Sequence, residues 1–325
     1  MTPRRFSTKV VTALAAVALV TAGCGSDDSD SGSGDTASGS DTVRLAINNT
    51  SSSLTAVVAE EQGFFEKHGV DAELTVVNDI SKVPPALGQQ FDIGFGVQPS
   101  LIRAASQGVD IVMVSGNSQT TDEKPDYVVM AKPDAGISGP EDLAGKRLGA
   151  PTLAGNVHQA TLYWLSEEGV DLAGVTSVQT PNASMMDQLD AGLIDAAEMQ
   201  QPFVQVAEDA GLVVVGNSLS AVGDPAYMSS WQAQRSWAEE NQETIANFKA
   251  ALDEAIEWMA ANEEETVQIL AEHTGLDAAL LEGSPMPTFS TDSPLEAVEQ
   301  WDAVLRGVGD FDADVDYDGL IVTSD

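Results

Sequence analysis

A chain of 325 residues with 51 acidic and 14 basic side chains carries a formal charge of −37 and a single cysteine. So negative a molecule repels nucleic acid and anionic lipid, and one thiol leaves no pair for an internal disulfide. The length suits one large domain or two ordinary ones behind a leader.

Arg4, Arg5 and Lys9 precede the apolar run "VVTALAAVALVTA" over 10–22. A membrane-spanning helix needs about 20 apolar residues, so this shorter run reads as the core of an export signal. It ends in "TAGC", small residues before Cys24. That site resembles a bacterial lipoprotein box, whose cysteine is acylated and becomes the mature N-terminus; Thr21 stands where leucine is more usual. The expectation is a signal peptide over 1–23 and a lipid on Cys24. The Gly/Ser/Asp-rich segment 24–41 has nothing to bury and reads as a flexible tether. The folded part then starts at Thr42, outside the cell, held to the outer face of the membrane.

From Thr42 onward strands and helices alternate. "TVRLAINN" (42–49) reads as a buried strand, and 51–70 as helical turns with Leu54, Val57 and Val58 on one face. "DAELTVV" (71–77) alternates with period two, and "DIGFG" (92–96) is a short apolar strand. A helix over 97–109 has Pro99 near its first turn, where a missing N–H costs little, and "DIVMVSGNS" (110–118) is a further strand. A second unit begins after "DYVVMAKPD" (126–134). It continues through a capping box at Ser138 and Glu141, a strand at 147–150, a helix at 155–169 and a strand at 175–180. Helices at 184–193 and 202–211 flank the strand 195–200, and 212–218 closes the set. "AYMSSW" (226–231) leads into an amphipathic helix over 238–262, and a last helix over 293–309 opens with a Ser293–Glu296 box around Pro294. Such alternation predicts an α/β fold with parallel strands and helices on both faces.

Several stretches together resemble one family. They are "AEEQGFFEKHGVDAEL", "FDIGFGVQPSLIRAASQGVDIVMVSG", "GISGPEDLAGKRLGAPTLAG", "LDAGLIDAAEMQQPF" and "YMSSWQAQRSWAEENQETIANFKAALDEAIEW". In order and spacing this series is similar to the solute-binding proteins of sulfonate-, nitrate-, taurine- and thiamine-precursor-type ABC importers, over roughly residues 43–320. The resemblance implies a two-lobed type II periplasmic-binding-protein fold, each lobe a mainly parallel sheet flanked by helices, with the ligand cleft between lobes. The lobes are expected at 42–130 with 228–325, and at 131–227. It also implies a monomeric receptor that closes by hinge rotation on a small-molecule ligand and delivers it to an ABC permease and its ATPase, while the lipid on Cys24 holds it to the membrane.

Ligands of open α/β sheets sit beyond the carboxyl ends of strands, near helix N-termini. The candidates are therefore Asn48, Asn49, Thr50 and Ser51 after the first strand; Gly96, Val97 and Gln98 before the Pro99 helix; Asn117 and Gln119; and Thr152, Gly155, Asn156 and His158 in the second unit. Each polar residue among them reads equally as a helix cap or turn residue. Glu198 stands in "IDAAEMQQPF", where the family commonly shows apolar residues, and shares a strand face with Gln200, with Gln201 on the other. A carboxylate there is either bonded internally or recognises a ligand donor or cation. Trp231 is a candidate stacking face, with Trp164 and Trp237 as alternatives; each also reads as core. No Arg or Lys occupies these positions, and Lys146 and Arg147 open a strand away from its carboxyl end. The ligand expected is a thiamine-precursor-like pyrimidine or another neutral or cationic nitrogen heterocycle. An alkanesulfonate, taurine or nitrate is the alternative.

No catalytic, metal-ligand or cofactor set is identified. The pyrimidine-synthesising members of the family carry a cysteine-rich iron-binding stretch, and this chain has only Cys24. "DVDYDGLIVTSD" (314–325) matches an EF-hand loop in spacing, with no chain left for the second helix. A surface sensor with the same fold and no transport role is the remaining alternative.

Overall fold

The computed structural model describes residues 42–77, 79–153, 155–309 and 311–322. The expected signal segment, Cys24, the tether and Asp325 lie outside them. The first unit runs β1 (Val43–Ile47), α1 (Leu54–Glu61), α2 (Phe64–Lys67), β2 (Ala72–Val76), β3 (Ile93–Gly96), α3 (Gln98–Ser106) and β4 (Ile111–Thr120). All of Leu54–Ala59 is buried, and Gly63, at φ 75°, ends that helix by taking a left-handed conformation that residues with a Cβ resist. The second unit is β5 (Tyr127–Ala131), β6 (Arg147–Ala150), α4 (Asn156–Glu167), β7 (Thr176–Gln179), α5 (Met185–Asp190), β8 (Ala196–Gln200), α6 (Phe203–Asp209) and β9 (Val213–Gly216). The chain then returns through β10 (Ala226–Gln234), α7 (Arg235–Glu240), α8 (Gln242–Ala261), α9 (Glu263–Thr274), α10 (Ala278–Leu281), β11 (Thr288–Phe289) and α11 (Glu296–Gly307).

Two sheets result, ordered β11-β4-β10-β3-β1-β2 and β7-β6-β8-β5-β9. Their shared pattern is a parallel trio, β2-β1-β3 in one and β7-β6-β8 in the other, joined to an antiparallel strand that arrives from the opposite unit. β10 fills that place in the first sheet and β5 in the second. The duplication reaches side chains. Arg44, second in β1, grips Asp92 through Nε and Nη2 at 2.9 and 2.6 Å. Arg147 opens β6 and grips Asp195 at 3.0 and 2.7 Å. Each aspartate also accepts from its arginine's own backbone N–H, so a bidentate pair locks adjacent parallel strands in register.

β5 belongs wholly to the second sheet, so the chain crosses at 121–126, not at the expected boundary after 130. It recrosses at 217–225, since β10 already begins at Ala226. Pro125 and Pro225 stand in the two passages, and the second carries a short 3-10 turn at Ser218–Ala221; the apolar β5, read alone, gave no reason to assign it to one sheet rather than the other.

The main core lies between the first sheet and α1, α2 and α8, where Trp231 meets Phe95 and Phe248 edge-on, with ring centroids 6.2 and 5.5 Å apart. A second cluster spans both units. It joins Leu101 and Ile102 of α3 and Trp301 of α11 to Val157 and Ala160 of α4. Three local expectations are corrected. Ser138 donates to Asp142, not Glu141, around a short 3-10 turn. Ser293 Oγ donates to the Thr291 carbonyl, and α11 starts only at Glu296. The helix expected over 238–262 is interrupted at Asn241, whose Nδ2 turns back to the Trp237 carbonyl. No helix among the described residues is long and apolar enough to cross a membrane.

Candidate functional site

β1 ends in Ile47, and the next six residues fold on themselves. Asn48 Oδ1 accepts from the Thr50 N–H at 3.1 Å and from the Thr50 and Ser53 hydroxyls at 2.9 Å. The Asn48 carbonyl accepts from His273 Nε2 of α9 at 2.8 Å, and burial lowers the His273 pKa, which suits a neutral ring donating one proton. This tight turn presents Asn49, Thr50 and Ser52 to a cleft of about 340 Å³ between the two units.

Opposite stand Thr152, Gly155 and Asn156 at the start of α4, with Glu198 and Gln200 on β8. Asn156 Nδ2 crosses the cleft to donate to the Met228 carbonyl of β10 at 3.1 Å. Glu198 is 1% exposed, and its Oε1 lies 2.7 Å from His158 Nδ1, itself buried one turn inside α4. Oε2 of Glu198 has no partner. A buried acceptor without a donor is expensive, and this one belongs to a side chain that forms part of the cleft wall. Asn182 Oδ1, at the end of β7, also lacks a partner and lines the same cleft.

A second cavity of about 240 Å³ adjoins the first, with Asn49, Thr50, Asn182 and Gln200 common to both. Its far walls are apolar, from Phe203, Leu270, Leu276, Leu281 and Met286. Asp126 sits in it beside Gln200, and burial pushes its carboxyl up to about 7 against a hydrogen bond from Gln200 that lowers it. Tyr127 follows on the cleft side, its hydroxyl pKa raised by burial and by the charges of Asp126 and Glu198. Neither cavity has an Arg or Lys among its lining residues.

The structure thus gathers Asn48, Asn49, Thr50, Val97, Thr152, Gly155, Asn156, Glu198 and Gln200 around the cleft, with Ser51 in the adjoining cavity. The other candidates lie elsewhere. Trp231 is wholly buried in the first core and offers no stacking face. Gly96 permits a close approach, but of Gln232, whose amide occupies the space of a Cβ. Gln98 is 1% exposed inside the first turn of α3. Asn117 is used up by Thr55, the Ser52 carbonyl and Ser229. Gln119 stands in the β4 ladder between Tyr227 and Thr288. His158 reaches the cleft only through Glu198. Arg147 is structural, as its place at a strand start implied.

Asp126, Tyr127 and Asn182 escaped the sequence reading. Asn182 follows a strand end in "TPNAS", the signal that found Asn48. Asp126, before an apolar strand, reads as a turn residue, and only the crossover turns it inward. Among the described residues no three His, Cys, Asp or Glu side chains are arranged to hold a metal ion.

Residues 50–266 match the family described as NMT1/THI5 like, and the chain belongs to that family. A binding protein of Brucella abortus (strain 2308) is 28% identical over 233 residues, 71% of this chain and 70% of that one. The taurine-binding periplasmic protein of Escherichia coli (strain K12) is 28% identical over 118 residues, 36% of this chain and 37% of its own. The periplasmic aliphatic sulphonate binding protein of Escherichia coli superimposes with a TM-score of 0.72 at 20% identity, over 87% of this chain and 92% of that one. The fold is accordingly that of the periplasmic binding proteins.

Proposed function

We propose that this protein is the extracytoplasmic receptor of an ABC importer, not an enzyme. It captures a small organic solute in the cleft and passes it to a membrane permease driven by its ATPase. The relatives' named binding roles support the class, and the sequence of the first 24 residues supports export and a lipid on Cys24. The two units act as lobes that rotate about 121–126 and 217–225, and the receptor works as a monomer.

The ligand is a nitrogen heterocycle of the aminopyrimidine kind, or another neutral or cationic solute that donates N–H bonds. The observation that carries this is Glu198 Oε2, a buried acceptor without a partner on the wall of a cleft that no Arg or Lys lines. A sulfonate or nitrate placed there meets a carboxylate and no Arg or Lys. The relatives named for taurine and aliphatic sulphonates support that second reading.

A thermal-shift panel on the purified protein tests both, setting aminopyrimidines against alkanesulfonates, taurine and nitrate. At 100 times its dissociation constant a ligand stabilises by about 2.7 kcal/mol, a visible rise in Tm. The expected result is a shift from an aminopyrimidine that Glu198→Gln abolishes. A shift from a sulfonate alone would keep the receptor and discard the ligand preference.

A further inference from the structure

The cleft does not end at Glu198. Its floor of Asn49, Thr50, Asn182 and Gln200 is also the entrance to the smaller cavity, so one molecule can occupy both. Each compartment holds one buried carboxylate, Glu198 at 1% and Asp126 at 8% exposure. Unpartnered acceptors mark the path between them: Glu198 Oε2 at one end, Asn182 Oδ1 at the junction and Gln201 Oε1 beside Asp126. The remaining wall of the smaller cavity is hydrocarbon, chiefly Phe203, Leu270, Leu276 and Met286.

We propose that the solute is bipolar, with N–H-donating cationic groups at the two ends of an apolar spacer, one seated on Glu198 and the other on Asp126. This rests on the reading of the cleft as a site for N–H donors, and extends it to a second anchor and a ligand class. A ligand polar at one end only would push hydrocarbon against Asp126, whose carboxyl has only the Gln200 hydrogen bond, and leave Gln201 Oε1 without a donor, a loss that buried polar groups make expensive. A donor at each end meets both carboxylates, and the part of the spacer beyond the polar junction meets the apolar wall of the smaller cavity.

Asp126 also couples such binding to pH. Its carboxyl is acted on by burial and by the Gln200 hydrogen bond, and the neighbouring Tyr127 hydroxyl, itself raised by burial and by Asp126 and Glu198, stays uncharged; no other titratable side chain lines the smaller cavity. A cation seated there displaces the Asp126 proton.

The test is calorimetric titration of the full chain with diaminobutane through diaminooctane, each against the n-alkylamine of equal length. A charge-assisted hydrogen bond is worth about tenfold or more in affinity, so the best-fitting diamine binds at least about tenfold tighter than its monoamine. Asp126→Asn removes that advantage. On the unaltered protein the advantage shrinks several-fold between about pH 8 and about pH 6 as Asp126 gains its proton, which decides the matter even if the variant does not fold. Equal affinities at every length, an advantage that survives Asp126→Asn, or an advantage flat with pH overturns the proposal. Were aminopyrimidines or monoamines to bind in a Glu198-dependent way with no gain from the second amine, the bipolar ligand would fall and the cleft reading would stand. If alkanesulfonates bind and no amine does, both fall.

Discussion

Asp126 shows how one side chain can be a cost to the fold. Its carboxyl is held near 7 by burial, against about 3.9 in an unfolded chain. Between those values the folded state binds the extra proton, so this group's contribution to stability is greatest below about pH 4 and falls as pH rises towards 7. Above 7 the folded protein carries a buried charge that the unfolded chain keeps in water. Asp126→Asn removes the charge at constant shape. Denaturant unfolding should find the variant more stable at about pH 8, by about 2–4 kcal/mol, and little changed at about pH 4. Equal stability of the two proteins at both pH values would show that the carboxyl is solvated. Glu198 differs in having one oxygen tied to His158 at 2.7 Å. That contact fixes the carboxylate's rotamer and leaves Oε2 as the free acceptor.

At the scale of elements, β4 binds the chain's late segments to its early ones. Gly116 N–H donates to the Thr291 carbonyl, and the Asn117 carbonyl accepts from Ser290. A Cβ on Gly116 would stand 2.0 Å from the Asp292 carbonyl oxygen and 2.8 Å from that of Ser290. Backbone cannot swing aside as a side chain does. Gly116→Ala should therefore cost about 2 kcal/mol, read as a fall in the denaturation midpoint, whereas Gly136→Ala, with open space around its Cβ, strains only its φ of 65°. Strands such as "VRLAI" and "DIVMV" were legible in sequence because apolar runs have few ways to hide; β10 and β11 were not read as strands. Helices α9 and α10 were not legible either. Glu263, Glu264 and Glu265 open α9, and a run of like charges reads as solvated chain until Ile269 and Leu270 find the first core.

At the scale of the whole molecule, α11 ties the first sheet to the passages between the lobes. Trp301 Nε1 donates to the Tyr227 carbonyl at 2.5 Å, Gln300 Nε2 donates to the Pro225 carbonyl at 2.9 Å, and Gly307 lies against the Tyr163 ring of α4. Asn156 adds a direct link across the cleft to β10. In the proposed closure one lobe would pivot beside this helix, whose bonds to Pro225 and Tyr227 hold the end of the recrossing at 217–225. Small-angle scattering should show a smaller radius of gyration on saturation with a ligand identified by thermal shift. An unchanged profile would oppose hinge closure.

The sequence by itself determined the α/β alternation, the strand that each apolar run would make, and the ordered motifs that place the chain in its family. It also pointed to Asn49, Thr50, Asn156 and Glu198, because the ends of strands and the starts of helices are local features. What only the tertiary structure decided was direction and neighbourhood. Trp231 and Glu198 are both single large or charged residues within strands, yet one is sealed between Phe95 and Phe248 and the other lines the cleft. Asp126 became an inward carboxyl because the chain changes sheets just before it, and Asn182 reached the junction of two cavities from a strand end far along the chain. Period-two alternation assigns a residue to one of two faces. Which face meets a core and which meets a cleft depends on the partner sheet, and that partner is made of residues a hundred positions away.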